Sequence, residues 1–176
     1  CMGFIILGKI VEKISGKSLD KFVEQNIFAP LNMNHTFYNP AEKYCDQIAP
    51  TEYDSARGGI VHCKVHDENA YYLGGVSGNA GLFSNLHDLA IFVQMMLNKG
   101  TYQGIRIFQP ETVELFTKRQ NIVENSSRCL GWDTPSGNSS SGHYYSQAAY
   151  GHTGFTGTSI WIDPTKNLFG ILLTNR

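Results

Sequence analysis

The residues best suited to chemistry lie in one run near the C-terminus, Tyr150-Gly151-His152-Thr153-Gly154-Phe155. His152 supplies a nitrogen donor or a cation, Thr153 a hydroxyl, and Gly154 leaves the strand edge bare. Such an edge can recognise a carboxylate or a carbonyl, while the backbone N–H of Phe155, just beyond it, can stabilise an oxyanion. Glycines beside a polar strand let a ligand or another backbone approach closely, because no Cβ stands in the way. An ordinary glycine-rich strand entry has the same composition, so the triplet alone does not decide between the two.

The elements that must position this run are readable from their periodicity. Ser159-Ile160-Trp161-Ile162 is β-branched and aromatic, the composition of a buried strand. Asp163-Pro164 marks a turn, and Leu168-Phe169-Gly170-Ile171-Leu172-Leu173 completes a hairpin. Toward the N-terminus, Ile5, Leu7, Ile10, Val11 and Ile14 recur close to helical spacing, and Ser15-Gly16 ends that helix. Ser18 is placed to cap a second helix that turns Phe22, Val23 and Ile27 inward and stops before Pro30. From about Asn32 to Gly81 the pattern is irregular and too long for a plain connection, as expected of a segment that carries function or covers a site. Leu86, Leu89, Ala90, Phe92, Val93, Met96 and Leu97 predict an amphipathic helix closing at Lys99-Gly100, and Gln109-Pro110 starts a shorter one through Phe116. Gly137 to Gly142 reads as a loop tip. Helices followed by an antiparallel hairpin make an α+β chain.

Composition narrows the function classes. With 176 residues and 41% hydrophobic content the chain can bury one real core, and its net charge of −1 with scattered Lys and Arg argues against nucleic-acid binding. The apolar runs Phe4 to Leu7 and Phe169 to Leu173 are far too short to span a bilayer. The chain opens inside an apolar segment at Cys1-Met2-Gly3-Phe4, which suggests a fragment of something longer. Cys1, Cys45, Cys63 and Cys129 follow no regular spacing and leave the redox compartment open. Glycosylation sequons at Asn34, Asn125 and Asn138 are read as chance occurrences.

Four segments in order give the chain a family resemblance: Gly3 through Gly16, Phe28-Ala29-Pro30-Leu31-Asn32-Met33 with Thr36, Gly78-Asn79-Ala80-Gly81-Leu82-Phe83-Ser84 with Asp88-Leu89, and Gly151-His152-Thr153-Gly154. Together they resemble the serine β-lactamase and penicillin-binding-protein superfamily, in particular its class C-like esterases and D-Ala-D-Ala carboxypeptidases. The resemblance implies a β-lactamase-like fold, with residues 1–176 as the C-terminal portion of a single domain. In that family a Ser-x-x-Lys nucleophile and a Tyr-x-Asn motif precede the first of these segments, so the resemblance places both before Cys1. His152-Thr153-Gly154 then stands where the family has Lys-Thr-Gly or His-Thr-Gly, and Phe155 where it supplies one oxyanion-hole N–H. Asn79 falls in a Gly-rich loop that often contains His, and is a candidate substrate-binding residue. The implied parent hydrolyses an ester, an amide or a D-Ala peptide through an acyl-enzyme, without cofactor, in the periplasm or outside a bacterium. The resemblance implies a small-molecule or peptide substrate, with a peptidoglycan-derived one among the candidates. A sheet edge left uncovered by truncation would invite dimerisation.

Two local patterns compete with this reading. Ser18-Leu19-Asp20-Lys21 and Ser77-Gly78-Asn79 mimic a complete Ser-x-x-Lys, Ser-x-Asn, His-Thr-Gly site. An activating lysine needs a desolvated pocket, however, and Lys21 sits among Lys17, Asp20 and Glu24, so helix capping by Ser18 is the simpler account. His62, Cys63, His66, Asp67 and Glu68 are metal-ligand types whose spacing fits no strong template, and no metal is expected there. Val65 to Ala70 resembles a loop near the site mouth in some esterase-like relatives, with Glu52 and Arg57 as candidate partners in a polar network. Tyr71, Tyr72, Tyr144 and Tyr145 are expected to pack on the core rather than line a cleft.

Overall fold

A computed structural model describes residues 2–137 and 139–175, so the sequon at Asn138 and the cysteine at Cys1 lie outside the described residues. The described residues form two compact units, one from residues 2–88 with Asn175, the other from residues 89–137 and 139–174.

In the first unit, helix α1 (Met2–Ser15) ends where Gly16 takes φ +68° and returns its N–H to the Glu12 carbonyl. The expected apolar stripe is there, but Leu7, Ile10 and Ile14 are exposed and Gly8 is the buried residue of the helix. Gly8 brings α1 onto the backbone of Gly78, where a Cβ would come within 2.1 Å of the Phe4 carbonyl oxygen. Helix α2 (Leu19–Val23) follows, continued by one π-helical turn from Glu24 to Phe28. Ser18 occupies the cap position with extended backbone, yet its side chain makes no capping bond. The Glu12 carboxylate takes that role instead, accepting the Leu19 N–H at 3.1 Å, because α1 delivers a charged acceptor to the positive start of α2.

The irregular stretch proves to be ordered. Strand β1 (Phe37–Tyr38), a 3-10 helix (Glu42–Gln47), the hairpin β2 (Tyr53–Asp54) and β3 (Gly59–Ile60), and helix α3 (Glu68–Tyr72) lead to β4 (Leu82–Phe83), which pairs antiparallel with β1. Beneath β1, Asp88 is 1% exposed on α4 (Leu86–Leu97) and accepts from the His35 N–H at 2.7 Å and the Thr36 hydroxyl at 2.9 Å. Thr36 also meets the Ser84 hydroxyl at 2.7 Å. Replacing Thr36 with isosteric Val removes one donor from a buried carboxylate, so Thr36→Val is expected to cost about 2 kcal/mol, read as a lower urea midpoint at unchanged slope.

The remainder of α4 belongs to the second unit, where Ile91, Val93, Met95 and Met96 are buried, a wider apolar face than a single stripe. It closes as expected, with Lys99 and Gly100 at positive φ and the Gly100 N–H on the Met95 carbonyl. The hairpin β5 (Thr101–Tyr102) and β6 (Ile105–Arg106) leads to α5 (Pro110–Thr117), which carries Pro at its start. The main sheet orders β7 (Tyr150–Thr153), β8 (Ser159–Asp163) and β9 (Leu168–Leu172) antiparallel, with β8 central, so the predicted hairpin forms at its predicted turn. Tyr150, Trp161 and Ile162 anchor the sheet in the core, and burial pushes the Tyr150 phenol above its ordinary pKa. The α+β character of the sequence reading is the architecture observed.

Candidate active-site strand and its surroundings

Register places Gly151 opposite Trp161, His152 opposite Ile160 and Thr153 opposite Ser159. Burial changes sharply along β7: Tyr150 and Gly151 are buried, whereas His152, Thr153, Gly154 and Phe155 are exposed. The strand therefore runs out of the core and offers its last residues to solvent. Phe155 lies in the turn that returns the chain to β8, its side chain 71% exposed.

The glycines serve the protein before any ligand. A Cβ at Gly151 would come within 2.2 Å of the Ile160 carbonyl oxygen and 2.5 Å of the Trp161 ring, and one at Gly154 within 2.2 Å of the Thr158 hydroxyl. These positions need glycine for internal close approach.

His152 is held at both nitrogens, Nδ1 lying 2.7 Å from the Thr153 carbonyl oxygen and Nε2 3.1 Å from Nη1 of Arg128. The Thr153 hydroxyl makes no hydrogen bond among the described residues, which leaves it as the polar side-chain group that β7 presents to a ligand. Sequence reasoning missed Arg128. It lies 24 positions before His152 in an irregular stretch, and no periodicity links the two.

Asn79 belongs to the first unit, and its amide is engaged there. It accepts from the Ser77 hydroxyl at 2.7 Å and donates to Asp67 at 3.2 Å, and Asp67 in turn caps α3 through the Ala70 N–H at 2.8 Å. Ser77-Gly78-Asn79 thus bridges two segments of that unit, with Gly78 serving the α1 contact.

The mimic of a serine–lysine pair fails on chemistry. Lys21 Nζ is bound to Glu24 at 2.8 Å on the surface, and that hydrogen bond and charge hold the ammonium above its ordinary pKa. A lysine that takes a proton from a serine needs its pKa shifted the other way, by a desolvated pocket. Cys63, one of the metal-ligand candidates, is bonded to Cys45 in a disulfide that sequence spacing did not reveal. Its neighbour His62 sits with Nε2 2.9 Å from both the Cys45 and Ile48 carbonyl oxygens. Cys129 is buried with its thiol donating to the Thr117 carbonyl, and burial raises its pKa, which disfavours the nucleophilic thiolate.

The polar network around Val65 to Ala70 does form. The Arg57 guanidinium binds Asp54 at 2.8 Å and the Val65 and His66 carbonyls at 2.7 Å each, lies over the Tyr71 ring, and His66 meets Glu52 at 2.7 Å. Of the four tyrosines, Tyr145 packs toward Trp161 while Tyr72 and Tyr144 are largely exposed, contrary to the expected core packing.

Comparison with known proteins places the chain in a family. A beta-lactamase family model matches residues 2–176. The N-acetylmuramyl-L-alanine amidase of Bacillus subtilis strain 168 is 43% identical over 192 residues, covering 99% of this chain and 43% of that protein. A putative D-alanyl-D-alanine carboxypeptidase of Salmonella gallinarum is 42% identical over 191 residues, covering 98% of this chain and 44% of that protein. Among solved structures, a beta-lactamase from Mycobacterium bovis superposes with a TM-score of 0.67 at 20% identity, covering 99% of this chain and 55% of its own. The chain thus spans less than half the length of the two curated relatives. With the family model matching residues 2–176 and two relatives above 40% identity along the chain, the protein belongs to the beta-lactamase family.

Proposed function

We propose that this chain is the C-terminal, substrate-binding portion of a serine hydrolase that opens an ester, an amide or a D-Ala peptide bond through an acyl-enzyme. The observation that carries the proposal is the exposed end of β7, where a threonine hydroxyl without a hydrogen-bond partner among the described residues follows a fixed histidine on a strand anchored in the core. Thr153, with His152 and Gly154, lines the edge along which a substrate carbonyl or carboxylate lies. The Phe155 N–H is assigned to the oxyanion. Two relatives bear the names of amide-cleaving enzymes, an amidase and a carboxypeptidase, which favours an amide or peptide substrate.

Nucleophile and general base are assigned to sequence beyond these residues, because the serine–lysine pair present is a surface feature with a protonated lysine. An exported location fits the Cys45–Cys63 disulfide, which persists in oxidising compartments. No helix of the described residues is long and apolar enough to cross a membrane.

An activated fluorophosphonate and a fluorescent penicillin test the proposal on two proteins, the 176-residue chain and its reading frame extended upstream. The expected result is no label on the chain alone and stoichiometric label on a serine of the extended protein. Label on Ser18 would overturn the assignment of the nucleophile, and an unlabelled extended protein would make this a binding module instead.

A further inference from the structure

Two backbone bridges bring a distant arginine to β7. Arg128 pairs antiparallel with Asp133, and Asp133 with Gly151, the second bridge closed by N–H to carbonyl bonds of 2.8 and 2.9 Å in both directions. The backbone of Arg128 is fixed as well: its N–H donates to the Ser126 hydroxyl at 3.2 Å, and its carbonyl accepts the Gln120 N–H at 3.1 Å. From this platform Nη1 reaches His152 Nε2 at 3.1 Å, with Asp133 Oδ2 at 3.9 Å on its other side.

The chemistry of the two partners fixes the state of the ring between them. A guanidinium can only donate and a carbonyl can only accept. With Arg128 at Nε2 and the Thr153 carbonyl at Nδ1, one form of imidazole satisfies both: Nδ1 carries the hydrogen and Nε2 presents its lone pair. The opposite tautomer sets N–H against N–H at one end and lone pair against lone pair at the other. A ring with hydrogens on both nitrogens offers the guanidinium no acceptor.

We propose that Arg128 is a positioning residue that locks His152 as the Nδ1–H tautomer and withholds Nε2 from the substrate. His152 then offers the reacting group no free N–H, since Nδ1 faces the Thr153 carbonyl and Nε2 faces Arg128. The positive charge at this strand end is the guanidinium, whose side chain is 61% exposed, and the substrate-facing hydroxyl is that of Thr153. This inference rests on the reading of β7 as the substrate edge and deepens it.

The test is a long-range proton–nitrogen correlation spectrum of the intact chain labelled with ¹⁵N-histidine at neutral pH, His152 being assigned by its loss in His152→Gln. The expected spectrum shows His152 with a protonated Nδ1 and a bare Nε2, the reverse of the tautomer that free imidazole side chains prefer. In Arg128→Ala the signal is expected to move to the Nε2–H form. A wild-type His152 already in that form overturns the proposal, as does an Arg128→Ala spectrum in which it stays Nδ1–H. The wild-type reading needs no variant to fold. Neither readout depends on acyl-enzyme labelling, so failure of the hydrolase reading is seen separately.

Discussion

Asp163→Ala is expected to cost about 3–5 kcal/mol of stability, because it removes the acceptor for a whole turn. Asp163 is fully buried at the end of β8. Its carboxylate accepts from the Ser146 N–H at 2.7 Å, the Ser146 hydroxyl at 2.8 Å, the Thr165 N–H at 3.0 Å, the Thr165 hydroxyl at 2.7 Å and the Lys166 N–H at 3.3 Å. Those donors tie the turn between β8 and β9 to the loop that feeds β7, so the same side chain sets the hairpin and the entry of β7.

Burial alone would raise the Asp163 pKa, but the donors from Ser146 and Thr165 outweigh it and bring the value from 3.8 down to about 2. The folded pKa lies below the unfolded one, so the stabilisation is fully present above the unfolded value and is lost as pH falls through the folded value. The window runs from about pH 4 to about pH 2, and the shift corresponds to roughly 2 kcal/mol. Urea unfolding of wild type and Asp163→Asn should therefore show a gap at pH 6 that narrows as pH falls toward 3. An equal gap at both would mean that the carboxylate's charge contributes nothing.

What the sequence made legible follows a physical division. The hairpin of β8 and β9, the close of α4 at Lys99-Gly100 and the start of α5 at Pro110 are local: each depends on side-chain period, on a residue that tolerates positive φ, or on one that lacks an N–H. The exposed end of β7 was legible too, since its residue types are unusual for a strand. Partners chosen by tertiary geometry were not. The Arg128 contact to His152 spans 24 positions, and Glu12 displaced Ser18 as the cap of α2 because α1 happens to end beside it. The α1 stripe shows a further limit: a pattern marks which face is apolar and does not name what covers it, and in this structure Leu7, Ile10 and Ile14 face solvent.

The disulfide belongs to that second group, and its removal is the other large effect expected. Cys45 sits in the 3-10 helix and Cys63, at φ +56°, follows β3, with a sequence separation of 18 and Cα atoms 5.1 Å apart. The crosslink closes the segment that contains β2 and β3, a hairpin of two residues per strand that cannot hold itself together in water. Constraint of a loop this size in the unfolded chain is worth about 3 kcal/mol. For a chain of this length that corresponds to a fall in Tm of roughly 6–12 °C. The Cys45→Ser, Cys63→Ser double variant should show that fall, and reduction of the wild type should reproduce it without adding to it in the variant. Hydrogen exchange localises the effect: the Thr51 and Val61 amides, which bond across the hairpin to Val61 and Glu52, should lose protection first. Amides of β8, which lies in the other unit, should keep theirs until global unfolding. Equal loss in β8 and at Val61 would show that the crosslink supports the whole chain rather than the segment it closes.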